Sequence, residues 1–162
     1  MSDDMKINTP GLDKIMKALS GKMPKARVGI LGDKNVRGES AGSTQKKQAG
    51  ASNAEVGAAH EFGTATLPQR SFLRVPISEH LAKKLEETGL TDKETLKEVI
   101  KSGTLVPWLK KVAIAAEGIV LEAFDSGGFG KWKPSDMTHK KNHQTLVETQ
   151  QLRNSITSEV KE

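Results

Sequence analysis

The stretch Leu105–Phe124, LVPWLKKVAIAAEGIVLEAF, decides how the rest of the chain must fold. Leu105, Trp108, Leu109, Val112, Ala116, Ile119, Val120 and Ala123 recur at helical spacing, and no other run carries so long an apolar stripe. A helix of this length with one apolar face predicts the spine against which shorter elements bury their own faces.

Upstream, Thr91 and Glu94 form a capping-box pattern before Leu96, Val99 and Ile100, which predicts a short amphipathic helix. Pro76 opens another, with Ile77, Leu81 and Leu85 on one side and Thr88-Gly89 as its stop. Asn53 can cap a helix over 54–62, small-residue rich, with Val56, Ala59 and Phe62 predicted to face inward until Gly63 ends it. Near the start, Thr9-Pro10 begins a short amphipathic helix bearing Leu12, Ile15, Met16 and Leu19. Alternation over Ala26–Leu31 (ARVGIL) and Ser155–Val160 (SITSEV) predicts two strands, and Leu146–Asn154 reads as part helix. The expected fold class is therefore α+β over residues 1–162 as a single domain: a small antiparallel β-sheet packed against one long and several short α-helices.

Two polar excursions interrupt this plan. Residues 33–52 hold almost no large apolar side chain, and 125–145 (DSGGFGKWKPSDMTHKKNHQT) are Gly- and Lys-rich. Both read as mobile loops, because they bury too little apolar surface to offset their ordering entropy. Within the second, Gly127-Gly128-Phe129-Gly130 lacks the strand-to-helix context and the GK[ST] ending of a phosphate loop, so it reads as a connector presenting Phe129 and Trp132.

Composition narrows the function classes. No cysteine is present, which excludes disulfides and thiolate metal sites. No apolar run is long enough to span a bilayer and no signal core is visible at the start, so synthesis in the cytoplasm is the expectation. The net charge of +5 comes from 25 basic and 20 acidic residues that are interspersed, which permits contact with nucleic acid or an acidic protein without demanding either. His139 and His143 have metal-ligand spacing, but no glutamate lies between them and Lys140 and Lys141 oppose a cation. His60-Glu61, with Asn142 and His143, lacks the positioned carboxylate set of a metal nuclease, and its expected role is local hydrogen bonding that shapes a turn.

That turn lies in HEFGTATLPQRSFLR, His60–Arg74. The wider segment EVGAAHEFGTATLPQRSFLRVPI resembles the part of phage tail-completion proteins in which a small-residue helix ends in His-Glu-Phe-Gly and runs into a Pro-x-Arg-x-Phe-Leu-Arg turn. KWKPSDMTHKKNHQTLVETQQLRNSITSEV is similar to that family's other signature, a Trp- or Pro-rich turn followed by Leu-Val-x-Thr-Gly-x-Leu-Arg-x-Ser-Ile and a strand. The family is the virion-morphogenesis, neck or tail-completion group of long-tailed bacteriophages, including its Mu-like members. One departure is Gln150, where the family tends to carry Gly; as a good helix former, Gln is expected to continue the turn as helix.

The resemblance implies a non-enzymatic structural protein of the virion, without cofactor or metal, that forms a ring at the head–tail junction or tail end. By family analogy the ring is a hexamer. Its implied partners are copies of itself, tail-tube or terminator proteins and head-connector proteins, with no membrane. Interface residues would be Phe62, Gly63, Pro68, Arg70, Phe72, Leu73, Arg74, Trp132, Leu152 and Arg153. In a lumen through which DNA passes, Lys34, Arg37, Lys46 and Lys47 would touch phosphates without reading bases. Two other readings follow from the residues: a small basic nucleic-acid-binding protein and, third, a metal-dependent nuclease.

Overall fold

The computed structural model describes residues 23–35, 51–133 and 150–162. In chain order these form β1 (Lys25–Ile30), a 3-10 turn (Gly32–Asn35), α1 (Asn53–Phe62), α2 (Arg74–Glu87), α3 (Lys93–Ser102), α4 (Val106–Asp125), the single turn α5 (Gln151–Asn154) and β2 (Ile156–Lys161). The α+β expectation holds, with one long helix and a two-stranded antiparallel sheet packed against helices. The expected helix at 9–19 lies outside the described residues.

Strand β1 pairs with β2 in register from Lys25 opposite Lys161 to Ile30 opposite Ile156. Both strands and α2 pack on α4, which supplies Ala113, Ala116, Ile119, Val120, Ala123 and Phe124 to the buried interior. Small residues on the first half of that stripe let neighbours approach closely, and large ones on the second half fill the space between layers. Phe124 is the hub: its ring lies 5.0 Å from Phe72 and 5.8 Å, edge-on, from Trp132. Leu152 and Ile156 close the cluster from the C-terminal side, with Val28, Ile30, Leu73 and Ile77 packed around it.

Several local expectations are corrected. Helix α1 is capped by Ser52, not Asn53: the Ser52 hydroxyl accepts from the Glu55 amide while the Glu55 carboxylate accepts from the Ser52 amide. Asn53 is buried instead, and its Nδ2 donates to the Lys34 carbonyl at 2.8 Å. Asn35 Oδ1 in turn accepts from Ala54 N at 2.8 Å, so the two ends of the expected loop at 33–52 are clamped together. The part of that loop at 36–50 lies outside the described residues. The expected capping box at Thr91 and Glu94 does not form; Asp92 is the N-cap of α3 without a side-chain bond, and Thr95 Oγ1 donates to Gly89 O. Helix α2 begins at Arg74, two residues before Pro76.

The connector after α4 is also more ordered than expected. Residues 126–131 form successive turns, and Phe129, at a positive φ of 55°, stacks on His80 with centroids 3.9 Å apart. Gly128 is buried where an added Cβ would lie 2.2 Å from Trp132 Nε1, so only glycine lets the Trp132 ring close over the chain. The rest of this excursion, 134–149, with His139, Asn142 and His143, lies outside the described residues. Gln150 does not continue a helix: it takes φ 52° and ψ −1°, the left-handed conformation for which glycine is suited, and α5 starts after it.

Candidate functional site

The His60–Arg74 stretch folds back on itself around one carboxylate. Glu61, the penultimate residue of α1, is buried although charged side chains rarely are without partners. Its Oε2 accepts from the amides of Phe72 at 2.9 Å and Leu73 at 3.0 Å. Its Oε1 accepts from the Arg74 amide at 3.1 Å and from the Ser71 hydroxyl at 2.6 Å. Ser71 Oγ then accepts from the Val75 amide at 3.1 Å. The free amides at the start of α2 are thus satisfied by a carboxylate from another helix, placed where the helix dipole favours negative charge.

The intervening turn is fixed by the same economy. Thr64 N donates to Leu67 O, Thr64 Oγ1 accepts from Leu67 N, and Arg70 N donates to His60 O at 2.7 Å. Gly63, at φ 77°, makes the reversal, and half-buried Pro68 sets the path back. Glu61 therefore has a structural task that occupies its oxygens, which leaves it unsuited to be a general base.

The predicted interface residues divide into two groups. Phe62 is 68% exposed and points away from the core, which corrects the inward orientation expected for it. The helix is phased so that Asn53, Gly57 and Glu61 face inward. Arg74 is exposed as well, with its guanidinium 3.9 Å from Glu61. Phe72 and Leu152, by contrast, belong to the chain's own core, with Leu73 and Trp132 packed against it. Trp132 Nε1 donates to Ser71 O at 3.2 Å, so the residue is a packing anchor rather than a displayed ring. Arg153 is held within the chain by Asp125, through paired bonds of 3.0 and 2.9 Å. None of these five offers a free side chain to a neighbour in this conformation.

Arg70 belongs to neither group. It is only 3% exposed, its Nε donates to Lys133 O at 3.1 Å, and its Nη2 has no hydrogen-bond partner among the described residues. Burial lowers its pKa from the ordinary arginine value, because the charged form is the one that desolvation penalises. Its expected directed ion pair with a neighbour is not available while the residue is enclosed. Lys34 is exposed on the 3-10 turn, and Arg37, Lys46 and Lys47 lie outside the described residues.

Within α2, Glu79 is paired with Lys131, which holds its carboxyl below the ordinary glutamate pKa. A carboxylate held below its unfolded value stabilises the fold above that value, and the contribution fades as pH falls through the depressed one. The pair pins the 126–131 turns to α2, together with the Phe129–His80 stack.

The expected hydrogen bonding of Glu61 that shapes the turn is present, but its capping of α2 was not foreseen, because its partners lie ten to thirteen residues downstream. A capping box is legible only when cap and helix are contiguous. Among the described residues no cluster of three or more His, Cys, Asp or Glu is arranged to hold a metal, and no helix is long and apolar enough to cross a membrane. Comparison with protein-family models, with curated proteins and with solved structures gives no match.

Proposed function

We propose that the chain is a structural virion protein that assembles as a ring at the head–tail junction or tail end of a long-tailed bacteriophage, and that it has no catalytic role. The observation that carries this reading is the meeting of the two motif segments. They are separated by more than fifty residues of sequence, yet Arg70 bonds the Lys133 carbonyl and Trp132 bonds the Ser71 carbonyl. Phe72 from the first segment packs with Leu152 and Ile156 from the second. Both stretches on which the resemblance rests thus build one shared body, as a motif pair from one functional unit would.

Two further features support it. Gln150 takes the left-handed backbone that the family's usual glycine would adopt without strain. Phe62 and Arg74 are exposed at the rim of the first motif, an aromatic anchor and a directional cation of the kinds enriched at protein interfaces. Neighbouring subunits, tail-tube or terminator proteins and head-connector proteins are the partners proposed for that rim, six copies are the proposed stoichiometry, and the location is the virion after synthesis in the host cytoplasm.

The deciding experiment is sedimentation and light scattering across a concentration series, with negative-stain imaging. Rings of fixed stoichiometry are the expected result. A monomer whose only partner is DNA, with affinity falling steeply as salt rises, would replace this reading with a basic nucleic-acid-binding protein. The lumen contact is tested separately: neutralising Lys34, Arg37, Lys46 and Lys47 is expected to impair retention of packaged DNA while rings still form. Unchanged retention and infectivity would remove that contact.

A further inference from the structure

Among the described helices of several turns, α3 alone buries nothing: none of its ten residues is buried. Its apolar side chains share a stripe, Leu96, Val99 and Ile100, with Leu96 43% and Ile100 39% exposed. Lys93, Lys97 and Lys101 follow at every fourth position along one flank of that stripe, all exposed, while Glu94 and Glu98 lie on the far side. Helices of this length are marginal in water by themselves, below the roughly 12–15 residues at which an isolated helix begins to persist. A docked surface would supply what α3 lacks.

The outer face of α4 has the complementary character. Ile114 is 67% exposed, and Gly118, one turn on, is open enough that an added Cβ would meet nothing within 4 Å. Toward the C-terminal end this face becomes acidic, with Glu117, Glu122 and Asp125. Glu117 holds the Ser158 hydroxyl and Asp125 holds Arg153, whereas exposed Glu122 makes no ion pair among the described residues. Lys110 and Lys111 on the N-terminal half would repel the α3 lysines, which restricts docking to the half beginning at Ile114. Ile114 to Asp125 spans about 16 Å and the lysine row about 12 Å at the helical rise, so the row fits within the strip. Within one chain they do not cover each other, since Leu96, Ile100 and Ile114 are all exposed together.

We infer that α3 of one copy docks on the Ile114–Asp125 face of α4 in the next copy, its aliphatic stripe over Ile114 and Gly118 and its lysines toward Glu122. The contact uses different surfaces on the two copies. It is therefore head-to-tail and closes into a ring when its rotation permits. A membrane surface fits the same helix less well, because the stripe has three aliphatic residues and lacks the Trp or Phe usual in interfacial helices. The inference rests on the ring reading and names the surfaces that build it.

Lys97→Glu, Glu122→Lys, Ile114→Glu and the Leu96→Glu/Ile100→Glu pair are compared with the wild type by sedimentation velocity, with circular dichroism reporting the fold. Each variant is expected to keep the helical spectrum and to associate at least tenfold more weakly. An equimolar mixture of Lys97→Glu and Glu122→Lys copies is expected to regain assembly, because alternating copies then meet through one wild-type and one doubly reversed contact. Should a charge variant unfold, the remaining variants carry the comparison. Wild type that stays monomeric at the highest concentration overturns both this contact and the ring reading. Assembly unchanged in every variant overturns the contact and leaves the ring. Monomer that instead cosediments with phosphatidylserine vesicles through Lys97 overturns the contact in favour of lipid.

Discussion

Two regions of the chain treat polarity in opposite ways. Around Glu61 the chain buries charge and satisfies it, with four donors converging on one carboxylate. Along α3 and the outer face of α4 it leaves Leu96, Ile100 and Ile114 in solvent, with exposed lysines beside them. Buried polar groups that are fully bonded specify a single arrangement, and large apolar groups left exposed mark surfaces that act on something else. The first region therefore sets the shape of the chain, and the second is the surface to which the proposed contact is assigned.

The comparison breaks most visibly at Glu61. Glu61→Ala removes the acceptor for three amides and one hydroxyl that stay enclosed, and it is expected to destabilise the fold by about 3–5 kcal/mol. Urea unfolding followed by tryptophan fluorescence reads this directly, since Trp132 bonds the same Ser71 whose hydroxyl Glu61 holds. Glu61→Gln keeps one acceptor oxygen and should fall between the two proteins. If Glu61→Ala unfolds at the wild-type midpoint, the carboxylate is not what organises the turn.

Gly57 comes next. It faces inward from α1, and a Cβ there would sit 2.9 Å from Ile30 Cδ1 and 3.4 Å from both Leu152 and Phe72. Gly57→Ala gains helix propensity of about 1 kcal/mol and loses more by wedging α1 off the strand, for a net cost of about 1–2 kcal/mol. A more stable variant would mean that Ile30 rotates away freely, and that the motif pair is less tightly joined than its contacts imply.

Smaller again is Gln150→Gly. The left-handed backbone of Gln150 strains a residue with a side chain, and glycine relieves this at the cost of a more mobile unfolded chain. The expected result is a gain of about 0.5–1 kcal/mol in unfolding free energy. A loss would show that the Gln150 side chain has a role its backbone angle conceals.

What the sequence made legible follows from the range of the causes. The apolar stripe of 105–124, the alternation in ARVGIL and SITSEV and the Gly stops are contiguous signals, and α4, β1, β2 and the end of α2 lie within a residue or two of where those signals put them. The phase of α1 was not legible. Counting apolar residues puts Phe62 inside, whereas the buried face is fixed by Glu61 reaching amides that are distant in sequence and adjacent only after folding. Gln150 escaped for a related reason: propensity favours helix there, and the surrounding chain overrides it. For the candidate site, residue type nominated the exposed Phe62 and Arg74, but it equally nominated Phe72, Leu152 and Trp132, because apolar anchors of a core and of an interface look alike until burial separates them.

Phe62 is where the comparison can be sharpened with the least disturbance. It sits beside Glu61 in sequence, yet the helix turns one side chain into the interior and the other out. Phe62→Ser removes an aromatic ring that covers little of its own chain, so the unfolding free energy should change by less than about 0.5 kcal/mol, as exposed positions do. The same change should weaken association or incorporation into virions if the ring lies against a neighbour, because an aromatic side chain at an interface loses its desolvated pocket on truncation. Unchanged stability together with unchanged assembly would make the rim of the first motif a bare surface and leave α3 and α4 to carry the contacts. A large loss of stability would instead put Phe62 back in the core, and the division between a shape-setting region and a surface-presenting one would no longer run between neighbouring residues.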